Sequence, residues 1–176
     1  MRHVLVLSLA LLFGASLAQA DVTSLDGTEF SDTLARTEHL YIAGQPSPEG
    51  LRQAKDLGIS TIVSLQTAAE IGDFDPKAEA EALGLNYVSI PSGGEDHPFS
   101  PAAVERFDAV MASTEEDVLL HCRSGTRATH LYVAWLVTHQ GVPLDEAMRR
   151  GRQIRFGAIP LEGYLGGRID YVLKED

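Results

Sequence analysis

Short apolar runs bounded by Gly, Pro and Asn alternate along this chain with longer stretches in which apolar residues recur every three or four positions. His39-Leu-Tyr-Ile-Ala43 predicts a strand that Gly44-Gln45-Pro46 stops. Ser47 predicts the N-cap of a helix that opens on Pro48 and Glu49, carries Leu51, Ala54 and Leu57 on one face and ends at Gly58. Thr61 to Leu65 has the continuous apolar character of a buried strand, Pro76 to Leu83 predicts a second helix closed by Gly84, and Asn86 to Ile90 predicts the next strand. Ser100 and Pro101 start a helix with Val104, Phe107, Val110 and Met111 on one face. Asp117 to His121 predicts a strand, and Ala128 to His139 a helix so apolar that protein must lie on both sides of it. An amphipathic helix from Leu144 to Ile154 and a last one from Leu161 to Val172 complete the pattern. The stretch before His39 is polar and predicts no element. Strands alternating with helices imply an α/β fold. No repeat, low-complexity tract or linker divides it.

The ends change the picture. Arg2 and His3 precede an apolar stretch from Val4 to Leu17, and Ala18-Gln19-Ala20 follows, which is the pattern of a secretory signal peptide cleaved after Ala20. At about 14 residues the apolar stretch falls short of the roughly 20 needed to span a bilayer. The expectation is a protein secreted into the periplasm, with residues 1–20 as leader, a single domain over 21–176 and no membrane span in the mature form.

The formal net charge of -11 argues against a nucleic-acid partner, because phosphate contacts need a basic face. Against that acidity, Arg149, Arg150, Arg152 and Arg155 form a late basic cluster. It reads first as a solvated face whose arginines pair with carboxylates, and second as a rim that attracts an anionic substrate. The six histidines show no H-x-x-x-H spacing and there is one cysteine, so no metal framework and no cofactor fingerprint is expected.

That one cysteine cannot form an internal disulfide, and its neighbours point to reactivity. In His121-Cys-Arg-Ser-Gly-Thr-Arg127 a strand ends at Cys122, a short loop turns at Gly125, and a helix begins. The thiol then sits at the positive end of a helix dipole, and the backbone N–H groups of Arg123, Ser124, Gly125 and Thr126 form a nest for an anion. Arg123 and Arg127 add positive charge, which favours the thiolate. Arg127 is suited to grip two oxygens of a tetrahedral anion. His121 reads as a structural partner behind the loop that fixes it and tunes the thiolate.

This strand-to-loop pattern resembles the cysteine-dependent superfamily of tyrosine and dual-specificity phosphatases. Tyr41-Ile-Ala-Gly-Gln-Pro46 with Gly58-Ile-Ser-Thr-Ile-Val-Ser-Leu65 is similar to the opening of the bacterial beta-lactamase-hydrolase-like phosphatase domains. The resemblance implies a three-layer domain with a central, largely parallel sheet flanked by helices. It also implies attack of Cys122 on phosphorus, stabilisation of the equatorial oxygens by Arg127, and an acid on an upstream loop. Asp96 in Pro91-Ser-Gly-Gly-Glu-Asp-His-Pro98 is the candidate, with Glu95 and His97 as alternatives.

One departure matters. Only four residues separate Cys122 from Arg127, where tyrosine phosphatases have five, and Ala128 stands where a Ser or Thr usually follows the Arg, although Thr126 and Thr129 flank the site. The short loop also resembles that of rhodanese-type sulfurtransferases. Three readings follow for an anionic substrate or sulfur donor: a phosphatase first, favoured by the scaffold and the acidic loop; a sulfurtransferase working through a Cys122 persulfide, favoured by loop length; and a non-catalytic anion-binding module.

Overall fold

The computed structural model describes residues 22–72, 74–167 and 169. Its elements are β1 (Thr23–Ser24), β2 (Leu34–Thr37), β3 (Leu40–Ala43), α1 (Pro48–Asp56), β4 (Ile59–Ser64), α2 (Pro76–Ala82), β5 (Asn86–Ser89), α3 (Pro101–Ala112), β6 (Asp117–His121), α4 (Thr126–Thr138), α5 (Leu144–Arg152) and α6 (Leu161–Leu165). Short 3-10 turns occupy Thr28–Phe30 and Ala68–Glu70.

The strands form one sheet in the order β1-β2-β3-β6-β4-β5. β3, β6, β4 and β5 are parallel, and β1 and β2 add an antiparallel edge. Alternation along each strand builds two cores, as the period of two requires. Leu40, Ile42, Val63, Val118 and Leu120 face α3, α4, α5 and α6. Tyr41, Ala43, Ile62 and Leu119 face the other side, with Leu51 and Ala54 of α1 and Ala80 of α2. The result is the expected three-layer α/β architecture.

The helix signals work as local chemistry dictates. The Ser47 side chain accepts the Gly50 N–H at 3.0 Å, and Asp75 accepts from Lys77 and Ala78 at the start of α2. α4 is buried from Ala128 to Ala134 and packs against α3, α5, α6 and the sheet. Its start lies two residues before the expected Ala128, because Gly125 at φ +89° supplies the turn into it.

Two expectations are corrected. The polar stretch before His39 does contain structure: β2 pairs with β3 through a tight turn at Glu38, whose φ is +49°. Leu34, Ala35 and Thr37 are buried in it, so its core side was hidden among polar neighbours. The last helix ends at Leu165 rather than running on to Val172, because Gly166 takes the left-handed conformation that terminates it. The rest of that expected helix, beyond Ile169, and the expected signal peptide lie outside the described residues. Among the described residues no helix is long and apolar enough to cross a membrane.

Candidate active site

The parallel strands finish level with one another. Ala43 and Ser64 both pair with His121, and Ser64 pairs with Ser89. The loops after β3, β4, β5 and β6 therefore meet at one edge, where open parallel sheets bind ligands. The loop from the central strand β6 carries Cys122.

That loop is tied down on every side. The Cys122 N–H donates to Ala43 O at 3.4 Å and the Gln45 N–H to Arg123 O at 3.1 Å. The Thr33 hydroxyl donates to Ser124 O at 3.1 Å. Thr129 turns both its N–H and its hydroxyl back onto Gly125 O, each at 2.9 Å, so it anchors the loop rather than facing outward. The hydroxyls of Ser124 and Thr126 lie 3.2 Å apart. Arg123 is exposed.

Cys122 is 1% exposed, and the Gly125 N–H points at its sulfur at 3.2 Å. His121 is fully buried, with Nδ1 3.4 Å from Cys122 O. Burial, above all, lowers its pKa to about 4, against the raising effect of that backbone contact and with a further push down from Arg127. His121 is therefore neutral near pH 7 and braces the loop without adding charge.

The Arg127 guanidinium is held by residues from two other loops, those after β4 and β5. Its Nη1 donates to Leu65 O at 3.1 Å, to Ser92 O at 2.7 Å and to Glu70 Oε2 at 2.9 Å, and its Nη2 donates to Glu70 Oε1. Glu70 thus takes the end of the fork. A guanidinium has five N–H donors. The pair on the other edge, Nε–H and the second Nη2–H, meets no protein acceptor among the described residues. That edge is the one matched to two oxygens of an anion.

Glu70 itself is fixed by a capping box in the Ala68–Glu70 turn, where its carboxylate accepts the Thr67 N–H at 2.9 Å and the Thr67 hydroxyl at 3.1 Å. Burial alone would raise its pKa, but the bonds from Arg127 and Thr67 outweigh it and hold the carboxyl below its usual range. The same pairing raises the Arg127 pKa against the lowering effect of burial, with the Cys122 charge adding to it.

Asp96, Glu95 and His97 lie exposed on the loop after β5, and no hydrogen bond or ion pair holds the Asp96 carboxylate among the described residues. The base of that loop does reach the site. Ser92 is buried and bonds Arg127 through its carbonyl, and Gly93, at φ +119°, lies so close that a Cβ there would stand 3.3 Å from Arg127 Nη1.

Sequence reasoning missed Glu70 and Tyr164. Glu70 had a signal, since Thr67-Ala-Ala-Glu70 is the capping-box pattern. Tyr164, from the short α6, had none. It is fully buried, and its ring centroid lies 5.1 Å from that of Phe99. Burial raises its pKa well above the ordinary phenol range, with Ser92 and Arg127 lowering it and Cys122 raising it again. It is a neutral donor within electrostatic reach of both functional side chains.

Of the basic cluster, Arg149 and Arg150 both pair with Glu146. Arg152 and Arg155 are exposed, but Arg150 is 8% exposed and so departs from the solvated face expected for all four.

Residues 32–139 match the family described as beta-lactamase hydrolase-like protein, phosphatase-like domain. A beta-lactamase hydrolase-like protein of Xylella fastidiosa is 32% identical over 118 residues, covering 65% of this chain and 27% of its own length. This chain therefore spans about a quarter of that relative. A solved protein of Neisseria meningitidis aligns at a TM-score of 0.55 and 30% identity, over 65% of this chain and 82% of that one. The structure of P. aeruginosa TpbA in complex with pTyr aligns at 0.58 and 20% identity, over 78% and 80%, a likeness of fold.

Proposed function

Because the chain belongs to the beta-lactamase hydrolase-like protein, phosphatase-like domain family, we propose that it hydrolyses phosphomonoesters through Cys122, acting on phosphorylated substrates after export by the leader in residues 1–20. The observation that carries this reading is the state of Arg127. Glu70 and two carbonyls hold the guanidinium from one end and leave the Nε and Nη2 edge unpaired beside the Cys122 loop. A fork preset in this way grips two equatorial oxygens of a phosphoryl group without first having to be ordered.

In the first step the Cys122 thiolate attacks phosphorus, the bond to the leaving oxygen breaks, and that oxygen takes a proton from the Asp96 carboxylic acid. In the second, water attacks the phosphocysteine, the S–P bond breaks, and Asp96 takes the proton from water. The loop amides from Arg123 to Thr126 and the Arg127 fork hold the phosphoryl oxygens throughout. Asp96 is solvent-exposed, so this role has it close over the loop once substrate is present. The pTyr found with TpbA makes an aryl phosphate the natural first substrate to offer.

The four-residue spacing between Cys122 and Arg127 favours a second reading, sulfur transfer through a Cys122 persulfide, which needs no acid because a thiolate or sulfite leaves unprotonated. Purified protein offered an aryl phosphate and, separately, thiosulfate with cyanide distinguishes the two. Phosphate release abolished by Cys122→Ser supports the phosphatase; a persulfide mass on Cys122 with no phosphate release replaces it with the transferase. Asp96→Asn is expected to slow poor leaving groups far more than good ones, and an equal effect on both would remove it as the acid.

A further inference from the structure

Tyr164 comes from α6, a helix of only five residues, and meets both ends of the loop between β5 and α3. Its ring lies on Phe99, near the end of that loop, at 5.1 Å between centroids. α6 sits directly on Phe99, since a Cβ at Gly163 would stand 2.6 Å from Phe99 Cβ. The Tyr164 hydroxyl lies within hydrogen-bonding reach of Ser92, near the start of the loop. Between these two points runs the stretch that carries Asp96, closed by a hydrogen bond from the Gly93 N–H to His97 O at 2.6 Å.

The pairing of the two hydroxyls follows from their burial. Tyr164 and Ser92 are both 0% exposed, and neither hydroxyl closes a hydrogen bond with any other group among the described residues. A buried hydroxyl without a partner is costly, so each holds the other in place. The phenol is the stronger acid and donates; the Ser92 oxygen accepts. Ser92 is in turn part of the mounting of Arg127. Its N–H donates to Leu65 O at 3.1 Å, and its carbonyl accepts from Arg127 Nη1 at 2.7 Å. The same Nη1 also serves Glu70 Oε2 at 2.9 Å and Leu65 O at 3.1 Å. Nη1 carries two hydrogens and faces three acceptors, so their balance sets the rotation of the guanidinium, and Ser92 O is the nearest of the three.

We propose that Tyr164 is a positioning residue for the anion site: its hydroxyl fixes Ser92, Ser92 fixes Arg127, and Arg127 thereby presents its free edge to the phosphoryl oxygens at a set angle. Glu70 holds the guanidinium from the loop after β4, and Tyr164 steadies it through the loop after β5. The effect on turnover rests on the phosphatase reading of Cys122, whereas the effect on anion binding does not.

Tyr164→Phe keeps the ring on Phe99 and removes only the hydroxyl. It is expected to weaken inorganic phosphate, measured by titration calorimetry, by about 10-fold, the worth of one hydrogen bond. It should lower kcat/KM for aryl phosphates by a similar factor, equally for good and poor leaving groups, because Arg127 holds the phosphoryl oxygens and not the leaving oxygen. Ser92→Ala is expected to match it, and the double variant to lose no more than either alone, since both act in one chain of contacts. Tyr132→Phe is the control: that phenol is also buried in the same core, but its partners within reach are Thr37 and Arg150, and its loss should change neither phosphate affinity nor turnover. A parent protein that binds phosphate without turning over aryl phosphates would sink the phosphatase reading and leave Tyr164 to be judged on binding alone. Unchanged phosphate affinity in Tyr164→Phe, additive losses in the double variant, a loss confined to poor leaving groups, or an equal loss in Tyr132→Phe would each overturn the proposal, as would a parent protein with no phosphate response.

Discussion

The Glu70 carboxylate decides what Arg127 can do, and two opposing effects meet in it. As an anion it cancels the Arg127 charge, which weakens attraction for an anionic substrate; as an acceptor on the end of the fork it fixes the orientation of the free edge. Both partners are mostly buried, at 13% and 23% side-chain exposure, so the geometric hold is strong. A charge-assisted hydrogen bond in such a setting is worth roughly 1.5–3 kcal/mol, and orientation is the larger effect at a reacting centre. Glu70→Gln turns an amide N–H toward an Arg donor and breaks the bidentate pair. The expected result is a fall of about 10- to 100-fold in kcat/KM for an aryl phosphate. A gain in kcat/KM would mean that charge cancellation, not orientation, was the dominant role of Glu70.

At the level of the element, the turn from β6 into α4 is set by one glycine and the residue opposite it. Gly125 has φ +89°, a conformation that L side chains resist. A Cβ there would stand 2.7 Å from Thr33 Cγ2 and 3.2 Å from Thr33 Cβ. Thr33 in turn holds Ser124 O, so the residue that crowds Gly125 is one that also fastens the loop. Gly125→Ala is expected to cost about 2 kcal/mol or more, from backbone strain and contact together. Adding Thr33→Ser removes the Cγ2 and keeps the hydroxyl, so it should return the contact part and leave the backbone part. Urea denaturation of the two variants measures the split, and no recovery in the double variant would show that strain alone sets the cost.

For the whole molecule, acid is expected to loosen the fold through its buried histidines. His121 protonates at 6.5 when unfolded but only at about 4 when folded. Between those values the unfolded chain binds the extra proton, so stability falls as pH drops from about 6.5 to about 4 and His121 adds no further loss below that. A gap of this size is worth on the order of 3 kcal/mol. His130 acts in the same direction, its pKa lowered by burial against the bonds from Thr126 and Gly157. Glu70 adds a loss at lower pH, because its depressed pKa keeps the pair with Arg127 intact until the carboxyl protonates. Denaturation midpoints across pH 7 to 4 should show this slope, and His121→Gln should flatten it. An unchanged slope in that variant would place the acid sensitivity elsewhere.

The sequence by itself determined the elements and the position of the chemistry. The cap at Ser47, the apolar run of α4 and the strand ending at Cys122 are signals carried within a few residues, because helix starts and strand alternation are local. It did not reveal the β2 edge, whose buried side appears only once β3 pairs with it, nor the stop at Gly166. Tertiary structure alone decided how Arg127 is held. Leu65, Glu70 and Ser92 lie 62, 57 and 35 positions away from it, and only level parallel strands bring their loops to one place. Cys122 could be picked out from its neighbours in the chain; its partners belong to other loops, and distance along the chain hides them.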